Sequence, residues 1–315
     1  MRTMRILICG IWPIITTGVF AGEFPETDVS FQTSDPELQR LFDAAETKAI
    51  ENTTQFTSEM KILVEGGGYP NAWIETQPMG GEMYAKRDLQ IALNNQMIFM
   101  LGQRADGRMP GMVVSGDTVR QRGWDKQPPE GYAWLPEHDI APDYEMFQGY
   151  CFPAPAWRMY FWIGKDKGYL QKLYAALKAH DAYLWRTRDS NGDGLLETWC
   201  VWDTGEDHST RLTTRGAPNR WPFERPPGTE GLPDPQDPQV YPRYWVYGPM
   251  ILAALEYISR MHGIHLDVEH GRVWWSALGT DGKDFTYTQC WGAKTFVLSA
   301  KQGQLTGHVN DRECF

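Results

Sequence analysis

The spacing of apolar residues predicts four helices in the first part of the chain. The first begins at Ser34, where a Ser-Asp cap and a proline precede the run ELQRLFDAAETKAIEN. The second extends from about Met83 to Arg104, and the third starts after Pro153 and Pro155, because proline breaks a helix interior. The fourth is the run DKGYLQKLYAALKAHDAYLWRTR, which carries leucine and tyrosine residues on one face.

The later part of the chain has a different pattern. Residues 215–243 contain eight prolines and no periodicity, so we expect an extended loop or linker there. A closing helix is predicted over 244–262, and the tail then alternates between apolar and polar residues. The runs GRVWWSAL, FTYTQCWG and KTFVLSAK predict three strands in a small antiparallel β region over 263–315. No strand is predicted before about residue 264.

Successive helix pairs favour a mainly α fold of the (α/α)6-toroid type, in which helix pairs form two concentric rings around a funnel. Six pairs need about twelve helices, whereas the pattern predicts only five or six. We therefore expect an incomplete, toroid-like helical portion over 22–214, followed by the linker, the closing helix and the β region. Exposed helix faces on the open side would favour self-association.

The N-terminus has the pattern of a signal peptide. Arg2 and Arg5 precede a short apolar stretch from Ile6 to Phe20, and Ala21 ends a small-residue cleavage site. The stretch is too short to favour spanning a bilayer. We expect residues 1–21 to be removed and the mature protein to be secreted or periplasmic, with no membrane association after cleavage. A buried N-terminal strand is the alternative.

Composition narrows the class of partner. Aromatic residues make up 13% of the chain and include 14 Trp, although most of these can be large core residues. Because the apolar face of a pyranose stacks on aromatic rings, the excess favours an oligosaccharide or polysaccharide. The net charge of −10 argues against nucleic acid and anionic membranes as partners.

The segment CVWDTGEDHSTR, residues 200–211, concentrates acidic residues beside a Trp, a His and an Arg. Such a cluster is favourable only in a solvated loop or in a polar cleft. Inverting glycoside hydrolysis requires one carboxylic acid and one carboxylate, about 6.5–9.5 Å apart, with a water between them. A neighbouring anion raises the pKa of the acid. The cluster is therefore a candidate acid site, and an exposed acidic loop is the alternative.

The same segment carries a resemblance to a known group. DSNGDGLLETWCVWDTGEDHSTR is similar to the segment shared by (α/α)6-barrel glycoside hydrolases related to trehalase and processing α-glucosidase (glycoside hydrolase families 37 and 63). The resemblance implies that Asp207 is the general acid. The chemistry of the cluster gives its neighbours roles as well: Glu206 or Asp203 is the nearby anion, and Arg211 restrains its effect or grips a hydroxyl. Trp199 and Trp202 offer stacking faces to the sugar.

A second, upstream motif supports this resemblance. KRDLQIALNNQMIFMLGQRADGRMPGM is similar to a segment of these enzymes in which an Asp shapes the sugar subsite and Q-x-x-D-G-x-x-P closes the helix. Arg87 and Asp88 are the implied substrate-binding residues. The matching positions at the end of the helix are Gln103, Asp106, Gly107 and Pro110.

The general base is not identified. In the resembled enzymes it is a Glu in later helices, and those helices are missing between the linker and the closing helix. Glu256 is the only acid of that closing helix, among apolar residues. We expect an exported glycosidase that acts on α-linked sugars by inversion, with reduced activity. The alternatives are a non-catalytic carbohydrate-binding relative and a polysaccharide lyase on a similar toroid.

A calcium site is the one cofactor suggested by the residues. Asp189, Asn191 and Asp193 stand at positions 1, 3 and 5 of a possible Ca²⁺ loop, but position 12 is Cys200 where an EF-hand needs a bidentate acid. A different Ca²⁺ site with help from Glu197 is one interpretation. An Asx-rich turn without metal is the favoured one.

Overall fold

The structure is a computed structural model, and it describes residues 24–145, 147, 149–189, 192–196, 248–278 and 282–315. Seven helices lie in these ranges: α1 (Pro36–Glu51), α2 (Gln77–Tyr84), α3 (Leu89–Leu101), α4 (Gly116–Gln121), α5 (Pro153–Trp162), α6 (Lys167–Arg188) and α7 (Gly248–Met261). None of these helices is long and apolar enough to cross a bilayer.

The first and fourth predicted helices are confirmed as α1 and α6. Asp35 caps α1 by accepting hydrogen bonds from the backbone N–H groups of Glu37 and Leu38. Asp166 caps α6 in the same way through the N–H of Tyr169, at 2.6 Å. The cap that predicted α1 therefore starts that helix, whereas α6 was predicted from its apolar face and starts at a cap that the prediction did not use.

The prediction of one helix over residues 83–104 is wrong. The chain leaves the helical path after Tyr84 and enters α3 at Leu89, because Asp88 has an extended backbone and accepts a hydrogen bond from Ile91 N at 2.9 Å. The third helix also differs, since α5 begins at Pro153 itself. Proline fits there because the first helical N–H has no intrahelical partner.

The prediction that no strand precedes residue 264 is also wrong. Six strands lie before that point: β1 (Thr27–Thr33), β2 (Thr53–Gln55), β3 (Lys61–Leu63), β4 (Ala72–Trp73), β5 (Met112–Ser115) and β6 (Ile140–Asp143). Five of these six have only two to four residues, which is too short for alternation to be recognised. They form a β2–β3 pair and a three-stranded β4–β5–β6 sheet.

The predicted C-terminal strands are confirmed within a longer series: β7 (Ile264–Asp267), β8 (Arg272–Trp275), β9 (Phe285–Trp291), β10 (Lys294–Lys301), β11 (Gln304–Val309) and β12 (Arg312–Glu313). β7 and β8 pair separately. The main antiparallel sheet has the order β1-β9-β10-β11-β12, so the N-terminal strand β1 forms one of its edges. Its buried face, which includes Tyr287 and Leu298, packs into the same core as the helices.

A buried run of amides on α3 joins the helices to the short strands. Asn95 binds both the N–H and the C=O of Leu63, at 2.9 and 2.8 Å, and Asn94 donates to the carbonyl of Lys61. Gln96 donates to the carbonyl of Pro78 at 2.7 Å. These bonds hold β3 and the first turn of α2 against α3.

The described residues thus combine seven helices with a C-terminal antiparallel sheet and three smaller sheets. The chain is not plainly mainly helical, contrary to the sequence prediction. The predicted linker, residues 215–243, lies outside the described residues.

Candidate active site

Three loops that connect helices converge on the small β4–β5–β6 sheet. Trp73 of the first loop lies opposite Met112, and Met112 lies opposite Asp143. Ile74 N donates to the carbonyl of Gly111, and Gly111 N donates to that of Asp143, both at 3.0 Å. We call these three loops (residues 65–77, 104–115 and 131–145) the cleft loops.

Glycines shape the first cleft loop. Gly66 has a φ of +80°, and a Cβ there would lie 2.3 Å from Oδ1 of Asn52. Asn52 uses this close approach to donate to the carbonyl of Glu65 at 3.0 Å. The triple glycine therefore bends the chain tightly enough to bury the Glu65 carboxyl at the base of the loop, where the residue is 5% exposed.

A side-chain network holds the far end of the same loop. Thr76 Oγ1 contacts Oε1 of Glu65 and lies 2.8 Å from Oε1 of Gln77. The same Gln77 oxygen accepts from Trp73 N at 2.5 Å. Trp73 and Glu75 lie between these anchors and remain partly exposed. The network thus fixes an indole and a carboxyl that lie two residues apart in sequence.

The third cleft loop contributes two buried acids. Asp143 and Glu145 are 1% and 3% exposed, and Glu145 N donates to Oδ1 of Asp143 at 2.8 Å. Gly131 packs against the Glu145 side chain, because a Cβ at Gly131 would lie 2.0 Å from Cγ of that residue. A buried carboxyl is costly without a specific partner, so this loop holds the pair through specific contacts.

Aromatic side chains surround the same small sheet. Trp73, Trp124, Tyr132 and Trp134 pack against a small core that includes Met112. The rings of Trp124 and Tyr132 lie 5.1 Å apart at 55°. All four rings stay partly exposed, so they offer apolar faces to a ligand as well as to the core.

The Q-x-x-D-G-x-x-P motif forms the turn of the second cleft loop. Gln103 donates to the carbonyls of Gly107 and Ala176, at 2.8 and 2.9 Å, and so ties the turn to α6. Hydrogen bonding by Arg104 outweighs burial and lowers the pKa of Asp106, which keeps this carboxylate charged. Gly107 has a φ of +99°, and its approach to α6 leaves no space for a Cβ.

This turn places the Arg108 side chain beside buried aromatic residues of α6. Arg108 is fully buried and donates to Tyr183 Oη at 2.8 Å. His180 stacks between Tyr183 and Tyr150, with centroids 6.0 and 4.3 Å away, and its Nδ1 lies 3.2 Å from both Met109 N and Gly107 O. Burial lowers the pKa of His180 to about 4, so the ring is neutral at pH 7.

The cleft loops therefore bring carboxyls and partly exposed aromatic rings together around one small sheet, beside a buried histidine and arginine. Sequence analysis missed Glu65, Glu75, Asp143, Glu145 and His180. The available signal was the triple glycine before Trp73, because runs of glycine occur where a loop bends tightly. This arrangement suits a neutral, hydroxyl-rich ligand with apolar faces.

Most of the predicted site residues lie outside the described residues. These are Asp207, Glu206, Arg211, Trp199, Trp202, Asn191 and Glu197. Asp189 and Asp193 are described, and each accepts a local backbone hydrogen bond, from Gly194 N at 3.3 Å and Leu195 N at 2.9 Å. Within the described ranges, no group of three potential metal ligands occurs.

Arg87 and Asp88 lie at the junction between α2 and α3. The Arg87 guanidinium forms a bidentate ion pair with Glu46 of α1, and Asp88 caps α3. Glu256 lies near this junction too and contacts Lys86. Burial opposes the charge on Glu256, but the attraction of Lys86 outweighs it and lowers the pKa of Glu256. All three side chains thus make scaffold contacts, and the substrate-binding roles of Arg87 and Asp88 stay predictions.

Comparison with known proteins assigns the chain to a family of glycoside hydrolases. The family model described as the mannosylglycerate hydrolase MGH1-like glycoside hydrolase domain matches residues 73–285. The match begins at Trp73 and extends across the Asp207 motif. A search of curated proteins finds no match. The chain belongs to the MGH1-like glycoside hydrolase family, a member of the six-hairpin glycosidase superfamily, in agreement with the resemblance to families 37 and 63.

Proposed function

We propose that the protein hydrolyses α-linked glycosidic bonds with inversion at the anomeric carbon, and that Asp207 is its general acid. The observation that carries this proposal is the family match, which begins at Trp73 in the first cleft loop and covers the other two cleft loops and the Asp207 motif. Asp207 protonates the leaving glycosidic oxygen while a second carboxylate takes a proton from the attacking water. The water oxygen then forms the new bond to the anomeric carbon on the opposite face.

The second carboxylate is expected among the acids of the cleft loops. Glu65, Glu75, Asp143 and Glu145 are carried by segments that the small sheet holds together. Glu256 is a poor candidate, because its carboxylate is already engaged by Lys86 and Arg260. Replacing each cleft carboxyl by its amide, with azide added to stand in for the missing base, would identify the group.

The sugar is expected to bind against the partly exposed indoles. Trp73 and Trp134 offer apolar faces from the described residues, and Trp199 and Trp202 are proposed to add further faces. Glu206 and Arg211 are proposed to adjust the acid and to bind a hydroxyl. The family description names mannosylglycerate, so this compound belongs among the test substrates together with neutral α-linked oligosaccharides.

The decisive experiment compares Asp207→Asn with the wild type on two aryl glycosides. We expect kcat to fall by several orders of magnitude with a poor leaving group and much less with a good one, which needs little protonation. Asp125→Asn, a change at an exposed acid, is the control and should retain activity. Product NMR within the first minutes would report the anomer. Equal losses on both substrates, or a retained anomer, would contradict the proposal.

A carbohydrate-binding protein with little activity is the second candidate. The observation that favours it is the helix count, since seven helices lie in the described residues whereas a closed six-pair toroid needs about twelve. An incomplete toroid admits water to the acid and weakens its pKa shift. Binding without turnover on the same substrates would support this candidate. An unsaturated product absorbing in the ultraviolet would instead indicate a lyase.

Export and calcium are further parts of the proposal. We propose that residues 1–21 are a signal peptide and that the mature protein, secreted or periplasmic, begins at Gly22. Mass spectrometry of the native N-terminus tests this.

Calcium at Asp189 and Asp193 is tested by thermal unfolding with and without a chelator.

A further inference from the structure

Helix α5 carries a group of aromatic residues outside its most buried face. Its buried face consists of Pro155, Ala156, Met159 and Trp162. The opposite face presents Trp157, Tyr160 and Phe161, which we call the Trp157 platform. None of the three belongs to the cleft loops, so the candidate active site does not account for them.

The three rings form one contiguous surface. Trp157 stacks on Tyr160, with centroids 5.6 Å apart at 22°, and meets Phe161 edge-on at 5.0 Å. Tyr160 and Phe161 are partly buried against the main core, whereas Trp157 is 40% exposed. The rings of Tyr160 and Phe161 therefore pack against the Trp157 indole, while much of the indole surface stays exposed to solvent.

The indole is also held in one orientation. Its Nε1 donates to Oε1 of Glu269 at 3.1 Å, and Glu269 lies in the turn between β7 and β8. The ring is thus fixed by α5 on one side and by the β7–β8 hairpin on the other. A pre-oriented aromatic face loses little conformational entropy when a ligand stacks on it.

The charges around the platform balance each other. Lys165 Nζ lies 5.6 Å from the centre of the Phe161 ring, and Glu269 contributes a carboxylate. Arg158 on the same helix forms an ion pair with Glu82 at 3.2 Å. A mixed polar rim around an apolar ring suits a neutral ligand with many hydroxyls, and the net charge of −10 disfavours a polyanion.

We propose that the Trp157 platform is a surface carbohydrate-binding site that holds a neutral polysaccharide outside the cleft. The inference rests on the proposed function for its class of ligand. The apolar face of a pyranose stacks on the Trp157 indole, and Glu269 and Lys165 bind its hydroxyls. One such stack gives weak binding, with a Kd on the order of 1 mM, which is sufficient to retain a polymer near the enzyme.

The first test is affinity electrophoresis in gels that contain α-mannan, pullulan or dextran, with polygalacturonate as the acidic probe. The protein carries Asp207→Asn throughout so that the polymer is not degraded. We expect a neutral polysaccharide to retard the protein, and Trp157→Ala to weaken this binding about tenfold, as expected for the loss of one stacked anchor. Glu269→Ala should weaken it less, because the indole remains but is no longer oriented.

Trp185→Ala is the matched control. Trp185 on α6 is 47% exposed and lies outside the platform, so its removal should leave retardation unchanged. The proposal is overturned if no neutral polysaccharide retards the protein, if Trp157→Ala binds as the parent does, if Trp185→Ala loses binding equally, or if only polygalacturonate binds.

A direct measurement separates this site from the cleft. In protein labelled with 5-fluorotryptophan, the Trp157 resonance is assigned by its loss in Trp157→Phe. Titration with a neutral tetrasaccharide should shift that resonance, and one that stays unshifted at 10 mM contradicts the proposal. In the chain with Asp207 intact, Trp157→Ala should hydrolyse small aryl glycosides at the wild-type rate. Binding at Trp157 without any hydrolysis would refute the proposed function alone.

Discussion

Nζ of Lys86 and Oε1 of Glu256 lie 2.5 Å apart, and this ion pair joins the break between α2 and α3 to the middle of α7. The Lys86 side chain is only 3% exposed, and Ser259 accepts a second hydrogen bond from it at 2.9 Å. The backbone carbonyl of Lys86 accepts from Gln289 of β9 at 3.2 Å. One residue thus connects three elements that are far apart in sequence.

We predict that Lys86→Met lowers the free energy of unfolding by up to about 3–5 kcal/mol, because the buried Glu256 would lose its closest partner and keep the more distant Arg260, at 3.3 Å. The double variant Lys86→Met/Glu256→Leu should recover most of this loss, since it removes both charges. Urea unfolding followed by fluorescence measures both. Arg40→Met is the control: it breaks an exposed pair with Glu37 and should change stability by less than about 1 kcal/mol. A double variant as unstable as Lys86→Met would contradict the account.

His180 predicts a specific dependence of stability on pH. Its folded-state pKa is about 4 and its ordinary value is 6.5, so between these values the unfolded chain binds a proton more readily than the native one. The free energy of unfolding should therefore fall as pH drops from 6.5 to 4, by on the order of 3 kcal/mol at most. In His180→Leu this part of the slope should disappear. An unchanged slope in the variant would show that other groups produce it.

Two glycines with positive φ allow the cost of backbone strain to be measured separately from the cost of a steric clash. At Gly123, with φ +70°, no atom lies within 4 Å of an added Cβ, so Gly123→Ala should cost only about 1–2 kcal/mol of strain. At Gly107, the Cβ would lie 2.2 Å from the carbonyl oxygen of Ala179. Gly107→Ala should therefore be clearly more destabilising and should also reduce hydrolysis, because the turn that places Arg108 must shift. Equal unfolding midpoints for the two variants would refute this.

Asp88 has two suggested roles, as the cap of α3 and as a residue that binds the sugar. Two substitutions separate them. Asp88→Ala should cost about 0.5–2 kcal/mol, because α3 loses its cap, while Asp88→Ser should retain most of the stability. A role as cap alone predicts that Asp88→Ser keeps KM near the wild-type value as well, since the carboxylate is engaged on Ile91 N. Thermal unfolding and KM are measured on the same samples. Normal stability with a raised KM would instead show that Asp88 contacts the sugar.

Local signals in the sequence were sufficient where a single segment determines its own structure. Asp35 and Asp166 cap the helices that their positions predicted, and the alternation in β9 and β10 marked both strands correctly. Local signals failed where the structure of a segment depends on contacts with residues far away in the sequence. Asp88 falls inside a helical apolar pattern, and its cap on α3 acts together with the distant contacts of Lys86 and Arg87 to break the helix there.

The site was less predictable than the fold for the same reason. Glu65 and Asp143 are about eighty residues apart in the chain. The strands that bring their loops together have only two to four residues, which is too short for a pattern to be recognised. His180 falls on a helix whose pattern was recognised, but its burial depends on the Gly107 turn. The motif around Asp207 was found from its resemblance to known glycosidases, and the family match covers it.

The position of β1 at the edge of the C-terminal sheet has a consequence for how the protein is made. Thr33 binds the carbonyl of Asp284, 251 residues further along the chain. At a synthesis rate of about 5–20 residues per second, β1 waits on the order of 10–50 s before its partner leaves the ribosome. During that time its hydrogen-bonding edge is open to other chains. A chaperone that protects extended segments near the N-terminus should therefore raise the yield of native protein more than one that acts after release.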